Sequence, residues 1–173
     1  MFDSWAGELS PSSFKKFSQP YLTYIAKHLP PRLKEMGLEP VPMVVFPKGA
    51  WYALDAACDM GYNIVGLDWL HDPAEAVKTA GDRPIVLQGN ADPGVLYGSH
   101  AAITEAVTEM VKGFGWHSRR KGWIVNLGHG MFIHWCCPHH VSDQPLGITP
   151  FVNPDDLKFF FQEIHRLTKT DAQ

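Results

Sequence analysis

The chain has 173 residues, 45% hydrophobic and 19% charged, with a formal net charge of -3. That is enough apolar material for the core of one domain, which excludes disorder as the default, and the absence of long runs of one charge excludes a nucleic-acid-binding surface. Three cysteines, Cys58, Cys136 and Cys137, two of them adjacent, make a poor disulfide framework and indicate a reducing, cytoplasmic setting. No apolar run approaches the ~20 residues that span a bilayer, so no membrane partner is expected, and Met1-Phe2-Asp3-Ser4 lacks the basic and apolar regions of a signal peptide.

In chain order, Phe2-Asp3-Ser4-Trp5-Ala6-Gly7 reads as the end of a strand followed by a turn. A helix is predicted over Ser12 to Met36, interrupted at Pro30-Pro31. Pro42 to Phe46, Asn63 to Leu67, Pro84 to Leu87 and Trp123 to Leu127 are short, almost wholly apolar runs, as expected of strands covered on both faces. Between them lie helical patterns over Trp51 to Met60, Pro73 to Thr79 and Ala101 to Phe114. A last helix is predicted over Asn153 to Thr168, with Asn153 as N-cap and Pro154 in the first position. Trp51, Trp69, Trp116, Trp123 and Phe159-Phe160-Phe161 read as core or subunit-interface material, because no basic groove accompanies them.

This alternation is that of parallel strands joined by crossover helices. Each strand runs into a small or polar turn: Phe46-Pro47-Lys48-Gly49, Leu67-Asp68-Trp69, Leu87-Gln88-Gly89-Asn90 and Leu127-Gly128-His129-Gly130. The predicted class is α/β, a partial (β/α)8 TIM barrel with about five parallel strand ends, whose polar turns converge on one face. Asp68 and Asn90 equally suit caps of the helices that follow. Five strand ends do not close eight strands, and the first strand is represented only by its last residues, so residues 1-173 are expected to be an incomplete barrel domain.

Phe2-Asp3-Ser4-Trp5-Ala6-Gly7, Gly66-Leu67-Asp68-Trp69, Leu87-Gln88-Gly89-Asn90-Ala91-Asp92-Pro93 and Asn126-Leu127-Gly128-His129-Gly130 resemble, in order and spacing, the C-terminal half of the uroporphyrinogen decarboxylase family. The resemblance implies a homodimeric barrel that needs no metal or organic cofactor. It implies decarboxylation of the acetate arms of uroporphyrinogen, yielding coproporphyrinogen in haem biosynthesis. Protonation of a pyrrole carbon creates the electron sink, carbon dioxide leaves, and the carbanion equivalent is reprotonated. It also implies that the catalytic aspartate and the carboxylate-binding arginines lie in the N-terminal half, so no catalytic residue is assigned in this chain. Two positions carry over as substrate-binding: Ser4, whose hydroxyl can donate to a carboxylate, and His129, whose imidazole can donate to or pair with one. Phe2, Asp68, Asn90, Gly128 and Gly130 are the expected pocket lining.

The chain departs from the family pattern over Met131 to Gly147, which separates Gly130 from Ile148-Thr149-Pro150-Phe151 and reads as an atypical insertion, a loop or disordered. Its His134, Cys136, Cys137, His139 and His140 are zinc-ligand types, but adjacent pairs lack the spacing that lets two side chains reach one tetrahedral ion, so no metal is expected. Three readings follow: a decarboxylase-derived chain inactive alone, a non-catalytic half-barrel that pairs with or modulates the full-length protein, and a methyltransferase-like relative requiring a metal or corrinoid site.

Overall fold

The computed structural model describes residues 1-116, 122-128 and 152-169. Five strands form one parallel sheet in sequence order: β1 (Phe2–Asp3), β2 (Val44–Pro47), β3 (Ile64–Gly66), β4 (Val86–Ala91) and β5 (Trp123–Leu127). Six α-helices accompany them: α1 (Pro11–Phe17), α2 (Gln19–Glu35), α3 (Leu54–Asp59), α4 (Pro73–Ala80), α5 (His100–Gly113) and α6 (Pro154–Thr168). Strictly sequential parallel order requires every crossover to return on the same side, which places the helices on one face of the sheet and leaves the other open. This is an arc of five consecutive strands of the (β/α)8 type. Among the described residues no helix is long and apolar enough to cross a membrane.

The burial pattern follows that asymmetry. Val45, Val65 and Leu87, each 1% exposed or less, point into a core shared with Ile103, Val107 and Phe114 of the α5 region and Phe160 of α6. Their neighbours Val44, Phe46, Ile64, Val86 and Gln88 are only half-buried, and Ile124 is exposed. Trp123 is drawn into the core side by stacking on Phe114, with ring centroids 4.6 Å apart, and its Nε1–H donates to the Gly89 carbonyl at 2.8 Å.

Two sequence expectations are corrected. The helix over Ser12 to Met36 is not interrupted at Pro30-Pro31; it breaks at Ser18, and both prolines lie inside α2. Pro20 explains the break: it has no N–H for the carbonyl one turn back and sits comfortably in the first turn of a new helix. Pro30 and Pro31 occur near the far end of α2, where proline φ suits the helix and the loss is limited to their missing donors. The second correction concerns β4, which does not turn after Leu87 but continues to Ala91, because β5 stays in register beside it from Leu87↔Trp123 to Ala91↔Leu127.

Asn153 caps α6 as expected, accepting from the Asp155 N–H at 3.0 Å. Asp68 and Asn90 cap no helix. α4 begins on Asp72, which accepts from the Glu75 N–H at 2.8 Å, and α5 begins on Ser99. The predicted insertion over Met131 to Gly147 lies outside the described residues.

Leu87 lies at the centre of the sheet and is 0% exposed. Leu87→Ala is expected to destabilise the chain by about 2–5 kcal/mol, through lost transfer energy and the cavity left behind. Urea unfolding followed by far-UV circular dichroism checks this; a loss below about 1 kcal/mol would mean that the sheet–helix interface is not the core.

Candidate functional site

The C-terminal ends of all five strands face the same way, since every pair is parallel. Their loops are bound to one another in a continuous chain of backbone contacts. The Lys48 N–H donates to the Asp3 carbonyl at 3.1 Å, and the Gly7 N–H donates to the Lys48 carbonyl at 2.8 Å, joining the β1 and β2 loops. Gly7 and Gly49 touch through their backbones: a Cβ at Gly7 would stand 2.7 Å from Gly49 Cα, so neither loop can close on the other with a side chain at Gly7. The Tyr52 hydroxyl reinforces the join, sharing its proton between the carbonyls of Ala6 and Leu9 at 2.9 and 2.7 Å. Burial, and secondarily the Asp3 charge, push that phenol's pKa up, which keeps it a donor.

Asp68 links the β2 loop to the β3 loop. Its side chain is 1% exposed and accepts from the Gly49 N–H, from the Leu70 N–H at 3.0 Å and from His71 Nδ1 at 3.1 Å. Burial alone would raise the carboxyl pKa, but the bonds from His71, Gly49 and Leu70 outweigh it and hold the group below its ordinary value. Asn90, 5% exposed, extends the chain to β4: its Nδ2 donates to the Asp68 carbonyl at 2.9 Å and to the His71 carbonyl at 2.7 Å. β5 completes it through the Gly128 N–H, which donates to the Ala91 carbonyl at 2.7 Å. A Cβ on Gly128 would lie 2.4 Å from the Trp69 nitrogen and 2.9 Å from the Asp68 carbonyl carbon, so Gly128 rests directly on the segment that Asp68 and Asn90 brace.

A cavity of about 580 Å³ lies against the open face of the sheet. Phe2, Phe46, Gly66, Gln88, Asn126 and Gly128 contribute from all five strands, and the cavity runs past the short β1 to Ile25 and Leu29 of α2. None of its described lining residues is lysine or arginine. Of the residues singled out from the sequence, Phe2 and Gly128 line this cavity, whereas Asp68 and Asn90 stand behind the wall as its braces, with their polar atoms bonded to backbone. Burial at the strand ends is the reason: a polar side chain enclosed between two loops is stabilised by the loops' own backbone groups. Ser4 is exposed immediately after β1. His129 and Gly130 lie outside the described residues; Gly128, next to His129, is placed. Ser4 and Gly128 stand at the ends of the two outer strands of the sheet, four inter-strand spacings of about 4.8 Å apart along it.

Sequence reasoning missed Gln88 and Asn126, polar side chains on the cavity wall, and His71, the partner of Asp68. A polar residue inside an otherwise apolar strand is the available signal for the first two. His71 follows Asp68 by three positions, a spacing that carries no signal until the loop conformation is known. No group of three or more His, Cys, Asp or Glu among the described residues is arranged to hold a metal ion.

An arc of parallel strands whose C-terminal loops are bound together beside a broad, mostly apolar cavity is part of a (β/α)8-type barrel, a fold whose ligand sites lie at that end of the strands. The chain belongs to the uroporphyrinogen decarboxylase (URO-D) family, whose family model matches residues 1–167. A uroporphyrinogen decarboxylase from Schizosaccharomyces pombe is 45% identical over 166 residues, 96% of this chain and 41% of the relative. One from Danio rerio is 40% identical over 95% of this chain and 39% of the relative, and one from Homo sapiens is 43% identical over 82% and 37%. The chain thus spans about two fifths of the length of these curated relatives. Among solved structures, a methyltransferase from Methanosarcina mazei superposes with a TM-score of 0.65 at 16% identity, over 98% of this chain and 42% of that one, a likeness of fold.

The Asp68 brace predicts an acid limb of stability. Because its folded pKa lies below the unfolded value of about 3.9, its contribution is complete above that value and is lost as pH falls through the folded pKa. Asp68→Asn should cost about 1–3 kcal/mol at pH 7, and the gap between variant and parent should shrink on acidification towards pH 3. Urea midpoints measured across that range check it; a gap that widens towards acid would reverse the sign. Gly128→Ala should destabilise the chain and shift the backbone amide resonances of Asp68 and Trp69, because its Cβ has no room.

Proposed function

We propose that this chain forms the C-terminal wall of a uroporphyrinogen decarboxylase-type active site and does not turn over substrate by itself. The observation that carries the proposal is the cavity wall: broad, mostly apolar and without lysine or arginine among its described residues. Such a wall suits the flank of a flexible tetrapyrrole. It does not by itself hold a polycarboxylate, which calls for fixed cations, and charge-assisted bonds from arginine are the strong means of supplying them.

In this reading Phe2, Phe46 and Val44 cover the macrocycle from one side, while the amides of Gln88 and Asn126 meet its polar edge. The Ser4 hydroxyl donates to one substrate carboxylate and His129 pairs with another. The acid that stabilises the protonated pyrrole, and the arginines that hold the acetate and propionate arms, come from the N-terminal part of the barrel. Residues 1-173 therefore act as one incomplete barrel domain, with 131-147 as an insertion beside His129. The complete protein works in the cytoplasm as a homodimer and as a carboxy-lyase converting uroporphyrinogen III to coproporphyrinogen III, without a metal or organic cofactor.

A second role is favoured by the exposed apolar residues of the open face, Phe2 at 77% and Ile124 at 40% exposure: the wall can pair with an N-terminal barrel portion supplied as a separate chain. Both readings are decided by one assay, coproporphyrinogen formation by the isolated chain, by the chain mixed with the N-terminal portion of the S. pombe relative, and by the same mixture lacking residues 131-147. The isolated chain is expected to give no product above background, the mixture weak turnover, and deletion of 131-147 an increase. Robust turnover by the isolated chain would overturn the division of the active site.

A further inference from the structure

The parallel registers place five residues in one row across the open face of the sheet. Phe2 stands beside Phe46, Gly66 beside Gln88, and Gln88 beside Ile124. The run of Val44 with Ile64 and Val45 with Val65 continues to Phe46 beside Gly66. Side chains in register on neighbouring parallel strands share a face, so the row is apolar except for Gln88. It also has a gap, because Gly66 carries no side chain between Phe46 and Gln88. Phe46 leans over that gap: a Cβ on Gly66 would stand 2.9 Å from its ring. Phe2, Phe46, Gly66 and Gln88 all line the large cavity.

Gln88 is half-buried in this row, and Asn126, two positions beyond Ile124 on β5, lines the same cavity nearer the strand ends. Among the described residues neither side-chain amide has a hydrogen-bond partner. An amide left unpaired on a cavity wall is available to a ligand. The Met1 ammonium, also on the wall, donates to the Val44 carbonyl at 2.6 Å, at the N-terminal end of β2.

These features suit one part of the substrate proposed above, and the inference rests on that reading. An acetate arm is a methylene and a carboxylate, small enough for a gap one side chain wide. When it reacts, the bond between methylene and carboxyl carbon breaks, carbon dioxide leaves, and the electron pair enters the protonated pyrrole. One proton from solvent then replaces the carboxyl, so CH2–COO⁻ becomes CH3. Negative charge therefore leaves the carboxylate on the way to the transition state. A cation on that carboxylate would stabilise the ground state more than the transition state and slow the step, whereas an apolar enclosure disfavours the charge from the start.

We propose that the gap over Gly66, walled by Phe46 and Gln88, receives the acetate arm that is reacting, and that the neutral amides of Gln88 and Asn126 orient its carboxylate without neutralising it. The arms that are not reacting stay with cations supplied from outside this wall.

Two measurements test this. In the intact 173-residue chain, Gln88→Glu sets a carboxyl at the gap, and its carboxyl carbon resonance is followed against pH. It should titrate above about 5, against about 4.3 for an unperturbed glutamate. If the variant is unfolded at neutral pH, recovery of the native circular dichroism on acidification towards pH 5 is the same result. A carboxyl whose folded pKa is raised destabilises the fold above that value and is relieved as pH falls through it. The second measurement is coproporphyrinogen formation by the chain mixed with the N-terminal portion of the S. pombe relative. Gln88→Lys should lower KM and also lower kcat about tenfold, a split that damage to the fold does not produce. Gln88→Met, of similar length without the amide, should lower kcat/KM about fivefold, the equivalent of one neutral hydrogen bond. A carboxyl at position 88 that titrates at its ordinary value, or a lysine variant whose kcat is unchanged or whose KM rises, would overturn the inference. Absence of product from the parent mixture would instead be a failure of the proposed function, and the titration then decides the character of the gap by itself.

Discussion

The carboxylate of Asp68 is removed from water where the β2 and β3 loops meet, and two of its hydrogen bonds hold backbone amides of those loops. The Gly49 and Leu70 amides and the His71 ring all converge on it. Without an acceptor at that point, the Gly49 and Leu70 N–H groups would lose the partner that ties the two loops together. Asn90 depends on the same arrangement, since both carbonyls that receive its amide belong to the segment Asp68 has already folded. Gly128 depends on it in turn, because it packs against the Asp68–Trp69 backbone. The strand ends are therefore positioned in series, from β2 to β5, by one buried charge and one buried amide.

This separation of labour explains why the cavity wall is so plain. The groups with strong polar chemistry at the strand ends are spent inside the protein on holding loops, while the surface that faces the cavity is left to Phe2, Phe46, Gln88 and Asn126. Such a wall contributes shape and apolar area.

Sequence alone determined the α/β class, the positions of five strands to within a few residues, and the last helix with its Asn153 cap. These are local properties: apolar runs, proline and cap chemistry act over a turn or a strand. The family motifs were also legible, because they occur as contiguous strings. Tertiary structure decided what the polar residues in those strings do. Asp68 and Asn90 read as pocket lining or helix caps until the loops were placed, because the same side chain serves any of these roles and only its neighbours in space choose among them. The continuation of β4 to Ala91 was likewise set by β5, a partner more than thirty residues away. The break at Ser18 rather than at Pro30-Pro31 depended on which helix ends could spare a donor, and His71 became visible only when the β3 loop folded its ring onto a buried carboxylate. Local sequence specifies which elements form; the sharing of buried hydrogen bonds between elements specifies the site, and that sharing has no representation along the chain.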